Sequence, residues 1–337
     1  MKNYTILFIL LFIFFFPSCD KKNRLEEEKF LNRKNINSCV KKVDNILRSE
    51  IKIFKNNDQD FDLFYKKMNR DYPFFFQDTL FNFFKEISAD INYNIIFDSV
   101  YVHYKENNLF TNPIKKGLCL TNKYFKTPNY KIISIIDDDI VDTFTPPFNP
   151  IIIDKEKNLI IIQLQWFLGK NHIFYTNRKQ PVPEYISERY SSEFIASLLL
   201  HELSKTFCDK KENNLELFSI MLNEAKPYLF LDLIMPDFEE HIIFGCTKED
   251  IDFFNKNEGS VWKHILENQF LFSSNTNLKQ KFIIPTSSNE LGTPGRFGIW
   301  IGWQILRSYF NNNNVSIQEV LKENNYLKIL NKANYKP

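Results

Sequence analysis

The chain has 337 residues, with 43 Lys and Arg against 41 Asp and Glu and a formal net charge of +2. That balance excludes the concentrated basic surface that nucleic-acid binding requires, so no nucleic acid is expected as a partner. With 44% hydrophobic and 25% charged residues the composition is globular rather than disordered, and the length allows a substantial core.

At the N-terminus, Lys2 precedes an apolar run, Ile6–Phe16, that stops at Pro17-Ser18-Cys19. Such a run is too short to span a bilayer as a helix but suits the core of a signal peptide. A small residue just before a Cys resembles a bacterial lipobox, relaxed at Phe16-Pro17. Residues 1–19 are therefore expected to be a lipoprotein signal peptide, with Cys19 acylated as the membrane anchor. An ordinary signal peptide with an unrelated Cys is the alternative. Residues 20–42, including Arg24-Leu25-Glu26-Glu27-Glu28-Lys29, are charged and lack apolar periodicity, which predicts a tether. Cys39, Cys119, Cys208 and Cys246 form no C-x-x-C pair. They read as core residues, with disulfides possible in an oxidising compartment.

Residues 43–337 are expected to form one folded domain, helical over 43–126, with strands over about 130–165, then helical again over 190–337. In the first part Leu80, Phe83, Phe84, Ile87 and Ile91 recur at helical spacing, and Phe74-Phe75-Phe76 reads as core. Three β-branched runs follow: Tyr130–Ile136, Pro150–Ile153 and Leu159–Leu164. The last two form a hairpin across Asp154-Lys155-Glu156-Lys157-Asn158. The fold class is α+β, predominantly α-helical. A small, mostly antiparallel sheet should lie beside a buried central helix in a zincin-like arrangement.

That central helix is Ser191–Lys205, apolar on nearly every face, with Ser191 or Ser192 as its N-cap. A second helix from Leu215 carries Glu224 and Pro227, and Pro227 should kink or end it. Beyond it, Gly298 and Gly302 are four apart on a helix through Trp300 and Trp303 and would admit another backbone closely.

The central helix ends in His201-Glu202-Leu203-Ser204-Lys205. Zinc hydrolases with H-E-x-x-H use two His one turn apart as ligands and the Glu as general base. Here Lys205 stands where the second His belongs. Glu224 comes 23 residues after His201, close to the spacing of a third ligand on a second helix. With about 1.5 Å of rise per residue, the two would sit level within roughly 5 Å across a helix pair. A protonated Lys cannot ligate zinc and opposes a cation beside it. The expectation is a structural ion pair among Lys205, Glu224 and Glu202 in a degenerate site, with no catalytic residue, metal or other cofactor. The alternative is a membrane-tethered zinc peptidase using His201, Glu202 and Glu224 plus an extra ligand from His103, His172, His241 or His264. Arg296 and Arg307 read as groups that pair within the domain rather than as ligand contacts.

Several segments carry a resemblance. Trp166–Tyr175, then Pro183-Glu184-Tyr185-Ile186, then Glu224–Asp232 with Pro236-Asp237, and above all Pro294–Tyr309 with terminal Tyr335-Lys336-Pro337, resemble the gliding-motility lipoprotein B (GldB) family of Bacteroidetes. Ala225 departs from the Gly usual there. The resemblance implies a lipid-anchored cell-envelope protein, its domain on the periplasmic or outer side, with other envelope or gliding-machinery proteins as partners. That family itself looks distantly like predicted zinc-dependent proteases.

Overall fold

Near-continuous β-branched runs form strands only where both faces can be buried, and the centre of this molecule supplies such a place. A computed structural model of the chain describes residues 23–43, 49–51, 61–71, 73, 76–104, 109–136, 149–176, 181–209, 215–286 and 294–337. The expected signal peptide with Cys19, and Phe74 and Phe75, lie outside them.

In chain order come α1 (Arg24–Val43), β1 (Ser49–Ile51), α2 (Phe61–Asp71), α3 (Phe81–Ala89), α4 (Ile91–Tyr104) and α5 (Thr111–Tyr124). Next are β2 (Lys131–Ile135), β3 (Ile151–Asp154), β4 (Leu159–Gln163), α6 (Ile173–Thr176), α7 (Glu184–Ser187) and α8 (Ile195–Lys205). Then follow α9 (Leu217–Ile234), α10 (Glu240–Phe244), α11 (Lys248–Glu267), α12 (Thr276–Phe282), α13 (Phe297–Asn312), α14 (Ile317–Lys322) and α15 (Tyr326–Ala333). The class is predominantly α-helical α+β, as the sequence predicts.

The sheet corrects one expectation. Its order is β1-β2-β4-β3, and only the β3–β4 hairpin is antiparallel; β1–β2 and β2–β4 are parallel. The sheet is thus mostly parallel. The reason is connectivity: β1 and β2 are joined through the helices α2–α5, and a helical crossover brings the chain back in the same direction. β1 itself interrupts a stretch expected to be entirely helical. β4 is buried along its whole length, as an interior strand must be.

The expected tether is also corrected. Arg24–Val43 is a helix docked on the domain, with Leu25, Asn32 and Ile36 buried. Asn32 donates to the Leu233 carbonyl at 2.7 Å and accepts from Lys123 Nζ at 2.7 Å. Arg24 donates to the Asn313 carbonyl and lies over the Phe310 ring.

Pro227 does not end its helix; α9 runs on through it to Ile234. Nearly every α9 side chain is buried, so packing outweighs the lost hydrogen bond and ring clash of about 3 kcal/mol. α13 lies against α9 at closest approach. A Cβ on Gly302 would stand 2.6 Å from the Met221 carbonyl oxygen, so only glycine fits. Among the described residues no helix is long and apolar enough to cross a membrane.

Candidate functional site

α8 is the wall on which the candidate residues stand. It begins one turn later than expected. Ser191 precedes a 3-10 turn, Ser192–Phe194, and its hydroxyl donates to Glu193 rather than capping α8. Ile195, Ala196, Leu199, Leu200 and Leu203 are buried. α5 approaches closely at Gly117, where a Cβ would fall 2.2 Å from Leu200 Cδ1. The helix is thus held from several sides, and its last turn delivers His201, Glu202 and Lys205 to a cleft.

Helical spacing makes the local geometry. Lys205 Nζ lies 2.6 Å from Glu202 Oε1, an i,i+3 pair, and His201 Nδ1 lies 3.5 Å from the same oxygen. The His201 ring packs on Tyr228, with centroids 4.4 Å apart. Burial pushes the His201 pKa down to about 4, against a smaller upward pull from the Glu202 hydrogen bond, so the imidazole is neutral at neutral pH. Burial alone would raise Glu202. The His201 hydrogen bond and the Lys205 cation outweigh it and hold this carboxyl down at about 2. Glu224 lines the same cleft but is not a partner in the Lys205 pair.

The cleft has a volume of about 680 Å³. Besides these groups its wall includes Arg189, Arg296, Lys279 and the apolar Leu198, Ile283 and Ile299. A smaller cavity of about 240 Å³ also has Arg189 and Arg296 in its wall, so the two arginines stand between the cavities. Arg296, in the left-handed region at φ 69°, donates to the carbonyls of Gly245 and Phe244 and to the Tyr228 hydroxyl. Sequence reading singled out Arg296 but missed Arg189 and Tyr228. Nothing in their local pattern marks them; only the fold brings them to His201.

Zinc does not fit this group of residues. A catalytic zinc takes three protein donors and a water. His201 Nε2 is buried without a partner, but one orphan nitrogen is not a ligand set. The position of the second imidazole holds the Lys205 ammonium, and the would-be general base is its partner. Among the described residues no three His, Cys, Asp or Glu side chains group as metal donors. The other histidines have their contacts elsewhere: His241 faces Glu239, His264 meets Asn268 through Nδ1 while its Nε2 is unpartnered, His172 accepts from the Phe174 amide, and His103 packs on Tyr104.

Where α9 meets α10 and α13 a second charged cluster is closed. Arg307 Nε and Nη2 donate to the two oxygens of Asp232, at 2.8 and 2.6 Å. Trp303 Nε1 donates to Asp232 at 2.8 Å, the guanidinium stacks on the Trp303 ring, and Glu240 adds a second carboxylate. Burial works against the Arg307 charge, yet the two carboxylates hold its pKa well above the ordinary value. Of the cysteines, Cys119 is a buried core residue and disulfide-bonded, whereas Cys208 and Cys246 are free. Burial pushes the Cys246 thiol up to about 12.

No curated protein and no solved structure matches the chain. Residues 32–337 match the family described as gliding motility protein GldB, a match that covers the sheet, α8 with its cleft, and the Asp232–Arg307 cluster. Spanning nine-tenths of the sequence, that match makes this chain a member of the GldB family of gliding-motility lipoproteins of the cell envelope.

Proposed function

We propose that the protein is anchored to the envelope membrane by acylated Cys19 and acts through contacts with other envelope or gliding-machinery proteins. Its domain lies on the periplasmic or outer side. In this reading the His201–Glu202–Lys205 cluster is a metal-free remnant of a zincin-like site that now holds α8 in place. One observation carries it: Lys205 Nζ, at 2.6 Å from Glu202, supplies next to the carboxylate the positive charge that a metal would bring. An ammonium there neutralises Glu202 and repels a divalent cation.

Metal analysis of the purified chain tests the proposal. The native protein is expected to hold no stoichiometric zinc. Lys205→His, which restores the second imidazole one turn from His201, is expected to gain zinc and to lose it again with His201→Ala. Stoichiometric zinc in the native protein, lost on His201→Ala, would overturn the metal-free reading. A Lys205→His variant that takes up no zinc would remove the zincin-like part.

A further inference from the structure

A charge taken out of water needs a partner, because an isolated ion loses its hydration with nothing in return. Arg307 obeys that rule and the pair at the cavities does not. Arg189 Nε is buried with no hydrogen-bond partner. Arg296 meets only neutral acceptors, two carbonyls and a tyrosine hydroxyl. Among the described residues neither arginine forms an ion pair with a carboxylate.

Both guanidinium groups converge on Gly245. Arg296 Nη1 donates to the Gly245 carbonyl at 3.1 Å. A Cβ built on Gly245 would stand 3.4 Å from Arg189 Nε and 3.5 Å from its Nη2. Burial, and then the neighbouring Arg296 cation, bring the Arg189 pKa down to about 10, so it stays charged at neutral pH.

The acids of the two cavities are all committed. Glu184 and Glu188 pair with Lys170 at 3.2 and 2.8 Å. Asp250 belongs to the capping box of α11. Glu202 pairs with Lys205, and Glu224 has an interaction of its own. The two cations are therefore left with unused capacity for an anion, on the wall of a cleft whose remaining lining is largely aliphatic.

We infer that Arg189 and Arg296 form a binding site for a carboxylate-ended ligand whose apolar body lies along Leu198, Ile220, Ile283 and Ile299 in the larger cleft. A guanidinium edge matches a carboxylate in bidentate fashion, as Arg307 does with Asp232. The largely apolar remainder of the cleft favours a carboxylate on an apolar body over inorganic phosphate. The shared chemistry belongs both to a fatty acid and to the C-terminus of an apolar peptide. The proposal is independent of whether Cys19 is acylated or the His201 cluster once held zinc.

Calorimetric titration of the full-length chain in nanodiscs, with empty nanodiscs subtracted, tests it. The probes are octanoate against octanol, and N-acetyl-leucine against N-acetyl-leucinamide, with inorganic phosphate as a further arm. At least one carboxylate is expected to bind, about tenfold or more tighter than its neutral counterpart, since a charge-assisted hydrogen bond contributes that much. Arg189→Gln is expected to weaken that binding by about tenfold or more. If octanoate is the better ligand the source is lipid-like, and if N-acetyl-leucine is, a peptide C-terminus. Should Arg189→Gln fail to fold, Arg189→Lys, which keeps the charge but lacks the fork, is expected to show the same loss. Failure of both carboxylates to bind, equal binding of the neutral counterparts, undiminished affinity in the Arg189 variants, or tighter binding of phosphate would each overturn the assignment.

Discussion

Arg307 and Arg189 are both largely withdrawn from solvent, and the protein treats them in opposite ways. Around Arg307 every group is matched: a bidentate Asp232, a second carboxylate, and an aromatic face. Around Arg189 the neighbouring charge that acts on it most is another arginine, and its Nε is unpartnered. The difference separates a charge that holds the fold from one that remains able to hold something else. His201, Glu202 and Lys205 lie between these extremes, paired among themselves but on the wall of the open cleft.

The largest effect is expected at the closed cluster. Asp232→Ala leaves Arg307 buried beside a void and should cost about 3–5 kcal/mol in denaturant unfolding. A double variant, Asp232→Leu with Arg307→Met, should lose less than Asp232→Ala alone, because no uncompensated charge remains. A double variant as unstable as the single one would break the contrast with Arg189.

Acid should act next, through the cleft cluster. His201 titrates near 4 when folded against an ordinary value of 6.5, so the unfolded chain takes the proton first. Stability is expected to fall as pH drops from 6.5 towards 4, by up to about 3 kcal/mol. Glu202, held at about 2 against an ordinary 4.5, adds a loss between pH 4.5 and 2. His201→Gln should flatten the upper window of a stability–pH profile and also narrow the lower one, because His201 helps hold the Glu202 carboxyl down. An unchanged upper window would show that another group governs it.

Lys205→Ala should change stability by no more than about 1 kcal/mol, because the ammonium is partly exposed and screened. The smallest change is expected at Arg189. Without a ligand, Arg189→Gln should unfold within about 0.5 kcal/mol of the native chain, or later, since its Nε has no partner to lose. A loss as large as that of Asp232→Ala would make Arg189 a structural residue and erase the distinction.

What could be read from the chain alone was local. The β-branched runs at Lys131–Ile135 and Leu159–Gln163 are strands, and the apolar Ile195–Lys205 is a buried helix. His201, Glu202 and Lys205 meet because residues one turn apart on a helix have no choice. The docking of α1 was hidden for a specific reason. Leu25, Lys29, Asn32 and Ile36 form a helical stripe turned inward, but two of the four are polar and break the apolar period. Asn32 is buried there only because Leu233, Lys123 and Tyr124 supply its hydrogen bonds. Strand direction escaped as well, since no periodicity tells a parallel neighbour from an antiparallel one; that follows from the crossover between β1 and β2.

The sequence by itself determined the buried strands, the central helix, the family and the composition of the last turn of α8, because helix and strand geometry act over a few residues. Only the tertiary structure decided which charges are matched. Asp232 and Arg307 are 75 residues apart in sequence, and Arg189 and Arg296 are brought together at Gly245 from still farther. Burial makes those encounters consequential, since water would screen all four charges alike, and where it is largely excluded the presence or absence of a carboxylate partner decides the outcome.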